Sequence, residues 1–318
     1  MLRIGFAGSG FIAGIHAGAL AGLPDVAVAA VVDPDDERAR AFAAEHGATV
    51  QPSYEAMLAG VDAVYLCLPN TLHASHAVEA LDAGVHVFSE KPLATSPADA
   101  ERVREAAARS SAVYQVGFNK HFAPVYLAVK ERIESGALRP AWAHVKMNRG
   151  ELRQPPWVHD TSLTGGFLYE TAIHMLELLG WLFGPAREVV VRAGEGLEDF
   201  AMLLSFDGLT ATFCSSAHTT WLFPYERLEL FGEHATAVTE EMERVTFQLG
   251  LDAEPETQDV TSLPVPERWG YAAGDTAFVA AVRGEAPPPV GVEDGLRAVA
   301  LVDACYRAAA SGQPVRFD

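Results

Sequence analysis

Four groups of residues in this 318-residue chain have the types and spacing that chemistry needs. Gly8-Ser9-Gly10-Phe11-Ile12-Ala13 fits the pattern GxGxxG/A between a strand-like run and a helix-like one. In that setting the first glycine makes a tight turn and the second lets backbone approach a pyrophosphate. The small third residue lets helix and strand pack closely, with the helix N-terminus facing the phosphates. Asp33 ends the next strand-like run, about 20 residues beyond Ala13, the spacing from which a carboxylate accepts from adenine-ribose hydroxyls. A dinucleotide is therefore expected on Gly8, Ser9, Gly10, Phe11, Ile12 and Asp33. NAD is favoured, because Asp33 would repel a 2′-phosphate. NADP stays open, because Arg38 and Arg40 follow in the next helix.

The second group is Pro69-Asn70-Thr71-Leu72-His73, and the third is Ser89-Glu90-Lys91-Pro92. Each follows an apolar run, and ligands of doubly wound sheets bind outside the carboxyl ends of strands. Asn70 has two readings: a cap for the following helix, or a cofactor-facing side chain. His73 falls in that helix's first turn, within reach of a cofactor. A lysine at position 91 can donate to a substrate oxygen and lower the pKa of a bound hydroxyl; the alternative is an exposed turn lysine. His73 and His76 lack a clustered cysteine, carboxylate or further histidine, so no metal is expected.

The fourth group is the stretch Phe167–Phe183, which has no Lys or Arg and is apolar almost all round. Glu170, His174 and Glu177 make a narrow polar stripe at spacings of four and three, one face of a helix. A solvated helix would carry a broader charged face. The expectation is a cavity-facing stripe with His174 as proton acceptor and Glu170 orienting it. Upstream, Asn148–Trp157 mixes cationic and aromatic side chains. Arg153 and Trp157 either line a sugar pocket or belong to an ordinary surface loop. His16, His46, His86, His144, His218 and His234 read as structural or solvated.

These residues need a frame. Leu2–Ala7, Val26–Val32, Val61–Leu68, Val85–Phe88 and Val113–Phe118 read as strands. Between them lie helical stretches at Phe11–Gly22, Asp35–His46, Thr71–Ala83 and Pro97–Arg109. Alternation of this kind implies a parallel, doubly wound sheet over residues 1–119. From 120 to 318 the pattern changes. A helix at Pro124–Ser135 is followed by strands at Ala141–Asn148, Glu188–Arg192, Phe200–Phe206, Leu209–Ser215 and Tyr225–Phe231, and a last helix covers Glu293–Ala310. Asp207-Gly208 is a strong hairpin signal. The expectation is an α/β chain whose second domain is α+β with an open, largely antiparallel sheet. Phe200–Leu204 is apolar on both parities, so both sheet faces need cover, and a homodimer or homotetramer is expected.

Composition narrows the partners. The chain has 23 Lys plus Arg against 42 Asp plus Glu, a net charge of −19, which repels nucleic acid and anionic lipid. No run reaches a membrane span or reads as a signal peptide, and Cys67, Cys214 and Cys305 form no disulfide framework. A small-molecule substrate and a reducing, cytoplasmic setting are expected.

With GFAGSGFIA, PNTLH, SEKP, GFNKHFAP and TGGFLYETAIH in that order, the chain resembles the Gfo/Idh/MocA oxidoreductases from end to end. The resemblance implies a Rossmann domain of residues 1–119 and a substrate-binding and oligomerisation domain of 120–318. It implies hydride transfer between NAD(P) and a hydroxyl carbon of a sugar, cyclitol or related polyol, with Lys91, His174 and Glu170 catalytic. Pro69, Asn70, His73, Glu90 and Lys91 then join the cofactor site, and Lys91, Arg153, Trp157 and His174 meet substrate. The family also holds NAD-dependent hydrolases or lyases with no net redox change, and non-catalytic cofactor-binding regulators. Glu170 stands where the family usually has Asp, His121 where it often has Arg, and Thr164 where it has Gly.

Overall fold

A computed structural model describes residues 1–150 and 155–317. The chain divides into two compact units, Met1–Asn119 with Tyr271–Leu296, and Lys120–Gly270 with Arg297–Asp318.

The first unit is built on six strands: β1 (Leu2–Ala7), β2 (Val26–Val32), β3 (Thr49–Val50), β4 (Ala63–Leu66), β5 (His86–Ser89) and β6 (Tyr114–Val116). They form one all-parallel sheet in the order β3-β2-β1-β4-β5-β6. This is the doubly wound order, with its switch point between β1 and β4. Local chemistry sets the helices. Asp35 caps helix Asp36–His46 by accepting from the Glu37 and Arg38 amides, and Gly47 ends it in the left-handed region. Ser96 caps Pro97–Arg109 through the Asp99 amide. The core gathers Ile4, Phe6, Val31, Tyr65 and Phe88 with Phe278 and Val279.

Those last two residues correct the expected boundary. Helix Tyr271–Val282 packs against helix Phe11–Leu20, and Val290 accepts the Val116 amide, so 271–296 belong to the first unit rather than to the second domain. Burying Phe278 completely in that core is the physical reason.

The second unit carries nine strands: β7 (Pro140–Met147), β8 (Glu188–Ala193), β9 (Asp199–Phe206), β10 (Leu209–Ser216), β11 (Glu226–Gly232), β12 (Ala235–Glu240), β13 (Arg244–Leu249), β14 (Glu256–Asp259) and β15 (Val315–Arg316). Their order is β14-β13-β12-β11-β7-β10-β9-β8-β15, antiparallel except for β7 with β10. The architecture is the α/β class with two sheets that the alternation implied. Asp207-Gly208 closes the β9–β10 hairpin with Phe206 opposite Leu209. Phe200, Met202, Leu204 and Phe206 bury one face, while Leu203 points to the other, opposite Thr212; Trp142 and Phe231 pair across β7 and β11 on that same face, and all three are exposed.

Candidate active site

In the first unit the expected binding residues gather at the carboxyl ends of β1, β2, β4 and β5. Gly8 sits at φ +89°, and a Cβ there would fall 2.2 Å from the Cys67 carbonyl oxygen, so only glycine fits between β1 and β4. Gly10 is the N-cap of helix Phe11–Leu20, with no side-chain cap, and a Cβ on it would meet nothing within 4 Å. The helix amides therefore open onto clear space, the arrangement a pyrophosphate requires. Phe11 is 82% exposed at the same end.

Asp33 is saturated. Its Oδ2 accepts from the Ser9 amide and hydroxyl at 2.9 and 2.8 Å. Its Oδ1 accepts from the Asp35 amide at 2.8 Å and the Arg38 guanidinium at 2.7 Å. Burial works against the charge, but these donors, Arg38 foremost, hold its carboxyl below the usual range. Asp33 thus braces the glycine turn as well as standing at the end of β2, with an exposed arginine alongside.

The loops after β4 and β5 are tied together by His73. It is fully buried, with Nδ1 2.7 Å from the Pro92 carbonyl oxygen and Nε2 2.9 Å from that of Leu68. Both ring nitrogens face backbone carbonyl oxygens, which favour the protonated ring, but burial is the larger influence and pushes its pKa down. Asn70 is buried in a 3-10 turn, Asn70–Leu72. The α-helix starts three residues later at His73, with Leu72 in the cap position, so Asn70 is not its N-cap. Glu90 is buried and accepts the Lys91 amide on Oε2 at 3.1 Å.

In the second unit the stripe helix is not uniform. Leu168–Ala172 forms a π turn and Ile173–Phe183 an α-helix. Such turns interrupt the regular register and recur at functional sites. Gly165 and Gly166 lead into it at φ +78° and +106°. A Cβ on Gly166 would sit 2.5 Å from the Tyr306 hydroxyl, which accepts the Leu168 amide at 3.0 Å. Glu170 lies in the π turn and His174 just after it, both half-buried. Glu177 departs from the stripe: it is buried, and its Oε1 is 2.7 Å from His121 Nε2, whose ring stacks on Trp181. Trp157 is half-buried in a 3-10 turn, while Arg153 lies outside the described residues.

Two buried cations have contacts that the sequence does not assign: it reads Arg149 only as part of the mixed stretch Asn148–Trp157, and His16 as structural or solvated. Arg149 lies over the Phe167 ring and donates to Thr171 Oγ1 at 3.3 Å. Burial lowers its pKa, against the charges of Glu170 and Glu198. His16 sits between two carboxylates, Asp275 and Glu90. A histidine on the otherwise apolar stripe Ala13-His16-Ala17-Leu20 was the available signal. Among the described residues, no three His, Cys, Asp or Glu side chains are grouped to hold a metal ion, and no helix is long and apolar enough to cross a membrane.

Comparison with known proteins agrees with this architecture. A model described as an oxidoreductase family with an NAD-binding Rossmann fold matches residues 2–118. The model of that family's C-terminal alpha/beta domain matches residues 130–317. Inositol 2-dehydrogenase of Rhizobium meliloti is 29% identical, over 99% of this chain and 98% of its own. Myo-inositol 2-dehydrogenase of Thermotoga maritima is 25% identical over 100% and 99%. Among solved structures, the WlbA dehydrogenase of Bordetella pertussis, in complex with NADH and UDP-GlcNAcA, aligns with a TM-score of 0.84 at 25% identity, covering 100% of this chain and 99% of that one. Glycine turn, lysine loop and histidine helix thus fall within two matched domains, and the chain belongs to the Gfo/Idh/MocA oxidoreductase family, with an N-terminal NAD-binding Rossmann fold.

Proposed function

We propose that the protein is an NAD-dependent dehydrogenase that oxidises a secondary hydroxyl of a cyclitol, sugar or related polyol. The observation that carries the reading is Lys91: its peptide is held on both sides at the end of β5, by Glu90 and through the Pro92 carbonyl by His73. A lysine whose backbone is fixed this way starts its side chain from a defined point at the strand end. The inositol dehydrogenases named above support a cyclitol as the first substrate to try.

NAD supplies the hydride acceptor when bound, and Gly8, Ser9, Gly10 and the helix amides at Phe11 and Ile12 would hold its pyrophosphate. Pro69, Asn70 and Glu90 frame the loops beside it. Lys91 donates to the reacting hydroxyl oxygen and favours its deprotonated form. His174 accepts the proton, and Glu170 orients the imidazole. Trp157 is the described residue of its stretch that would meet the polyol. Lys91 belongs to the first unit and His174 to the second, so their cooperation is a question for kinetics.

The test is NADH formation with myo-inositol and a panel of sugars and polyols. The expected outcome is turnover that falls by about 10²–10⁴ in both Lys91→Ala and His174→Ala, the range for a positioned acid–base group. Substrate consumption without net NADH would place the chain with the non-redox hydrolases or lyases. NAD binding with no turnover of any kind would make it a regulator.

A further inference from the structure

His16 lies on the inner face of helix Phe11–Leu20 and is 1% exposed. Its Nδ1 is 2.7 Å from Asp275 Oδ1 and its Nε2 is 3.1 Å from Glu90 Oε1. Ionised carboxylates only accept, so both ring nitrogens donate and the ring is an imidazolium. Burial is the largest influence and opposes that charge, yet Asp275 and Glu90 outweigh it and push the pKa up to about 10. Tyr65 donates to the same Asp275 oxygen at 3.1 Å, and the ring packs edge-on against Phe88 and Tyr271. Cys67, Lys91 and His73 are further titratable groups that act on the cluster.

An apolar residue of similar volume would join this helix to β5 at no electrostatic cost, and buried ion pairs are often matched by such replacements. What the charged cluster adds is direction. His16 takes Glu90 Oε1 and leaves Oε2 aimed at the Lys91 amide. Room for that carboxylate exists because residue 117 is glycine: a Cβ there would stand 2.9 Å from Oε1. The contacts run from Asp275 through His16 and Glu90 to the peptide of Lys91.

We infer that His16, backed by Asp275, is a positioning residue that sets Lys91 through Glu90. This rests on the reading of Lys91 as the group that acts on substrate. The ring stays charged through the neutral range, so the cluster works as a fixed brace.

The test is a double-mutant cycle with the polyol that the panel identifies. His16→Asn keeps a donor for Asp275 but falls short of Glu90. It should lower kcat by about 10–100-fold, as loss of an orienting partner does, with the Kd for NAD changed by less than about threefold. His16→Gln, which reaches Glu90, should recover part of the loss. In a Lys91→Ala background His16→Asn should cost no more than about twofold, the scatter of additivity. Exchange of the Lys91 amide proton, followed by NMR, should quicken in His16→Asn and return in His16→Gln. If His16→Asn melts too low to assay, Asp275→Asn, which removes the charge behind the His16 ring, runs through the same cycle. A full additive loss in the Lys91→Ala background, or unchanged kcat in His16→Asn, overturns the positioning role alone. Near wild-type turnover in Lys91→Ala overturns it together with the proposed function.

Discussion

Alanine at Gly8 and at Gly10, two positions apart, separates the folding of the glycine turn from its use. Gly8 sits at φ +89°, and its added Cβ would lie 2.2 Å from the Cys67 carbonyl oxygen. A left-handed backbone costs a residue with a Cβ about 1–2 kcal/mol. The overlap adds more, because the obstacle is backbone at the end of β4 rather than a mobile side chain. A total of about 3–5 kcal/mol is expected, in the range of strain and overpacking. At about 2–4 °C per kcal/mol, Tm should fall by roughly 6–20 °C. Gly10 has φ −77° and ψ −172°, which alanine adopts, and its Cβ would touch nothing within 4 Å. Loss of a good N-cap residue and the gain from a stiffer unfolded chain each amount to under about 1 kcal/mol with opposite signs. Tm should therefore stay within about 3 °C. The methyl group would stand where the pyrophosphate has to approach, and NAD affinity should drop at least about 100-fold, or about 2.7 kcal/mol. Scanning calorimetry and NAD titration of the two variants read both quantities. Gly10→Ala binding NAD as tightly as wild type would refute the cradle, and Gly8→Ala melting with wild type would refute the close approach.

Other perturbations test other parts. Asp33→Ala removes the acceptor of four donors and the carboxylate opposed to a 2′-phosphate. It should weaken NAD by about tenfold and narrow the gap to NADP, whereas an unchanged ratio of the two dissociation constants would exclude Asp33 from cofactor choice. Glu241 is buried, and burial, then the charge of Glu226, pushes its carboxyl up to about 7. The fold binds the proton more tightly than the unfolded chain does, so this contribution is present below pH 4.5 and is lost as pH rises toward 7. Glu241→Gln should melt higher than wild type above pH 7, by up to about 3 kcal/mol, with the difference shrinking toward pH 5; parallel curves would count against it. The double variant Lys91→Ala/His174→Ala should lose less than the product of the single losses if both serve one proton transfer, and multiplicative losses would assign them separate tasks. Leu203 and the cross-strand pair Trp142–Phe231 expose apolar surface on one face of the second unit's sheet; light scattering should report a dimer or tetramer, and a mass near 34 kDa would contradict that.

What could be read from the sequence followed from periodicity and turn chemistry. Apolar runs read as ending at Ala7, Val32 and Leu68 alternate with helical stretches, and parallel strands follow from that alone. Gly8, Asp33 and Lys91 could be placed at strand ends because position along such a sheet fixes position in space. Strands β12 and β13 were passed over, and β14 is fully exposed and polar, so no alternation marks it. Helix Tyr271–Val282 contains Gly274 and small residues and lacks a clear apolar stripe. Its pairing with His16 spans 259 positions, beyond any local pattern. The π turn under Glu170 was hidden for a different reason. Two left-handed glycines precede it, and its first amide, Leu168, donates to the Tyr306 hydroxyl, a contact made only in three dimensions.

The return of residues 271–296 to the first unit also sets an order of events during synthesis. Domains commonly fold as they emerge, N-terminal first. Here Phe278 and Val279 fill the core beneath Phe6 and Tyr65, and Asp275 neutralises His16. Residues 120–270 must be made before that helix exists, which takes roughly 8–30 s at about 5–20 residues per second. Through that interval the nascent sheet carries an uncovered apolar face and a buried-type histidine with no Asp275. A ribosome stalled before residue 271 should hold a first unit that proteases still cut, and one stalled well past Leu296 should hold a resistant one.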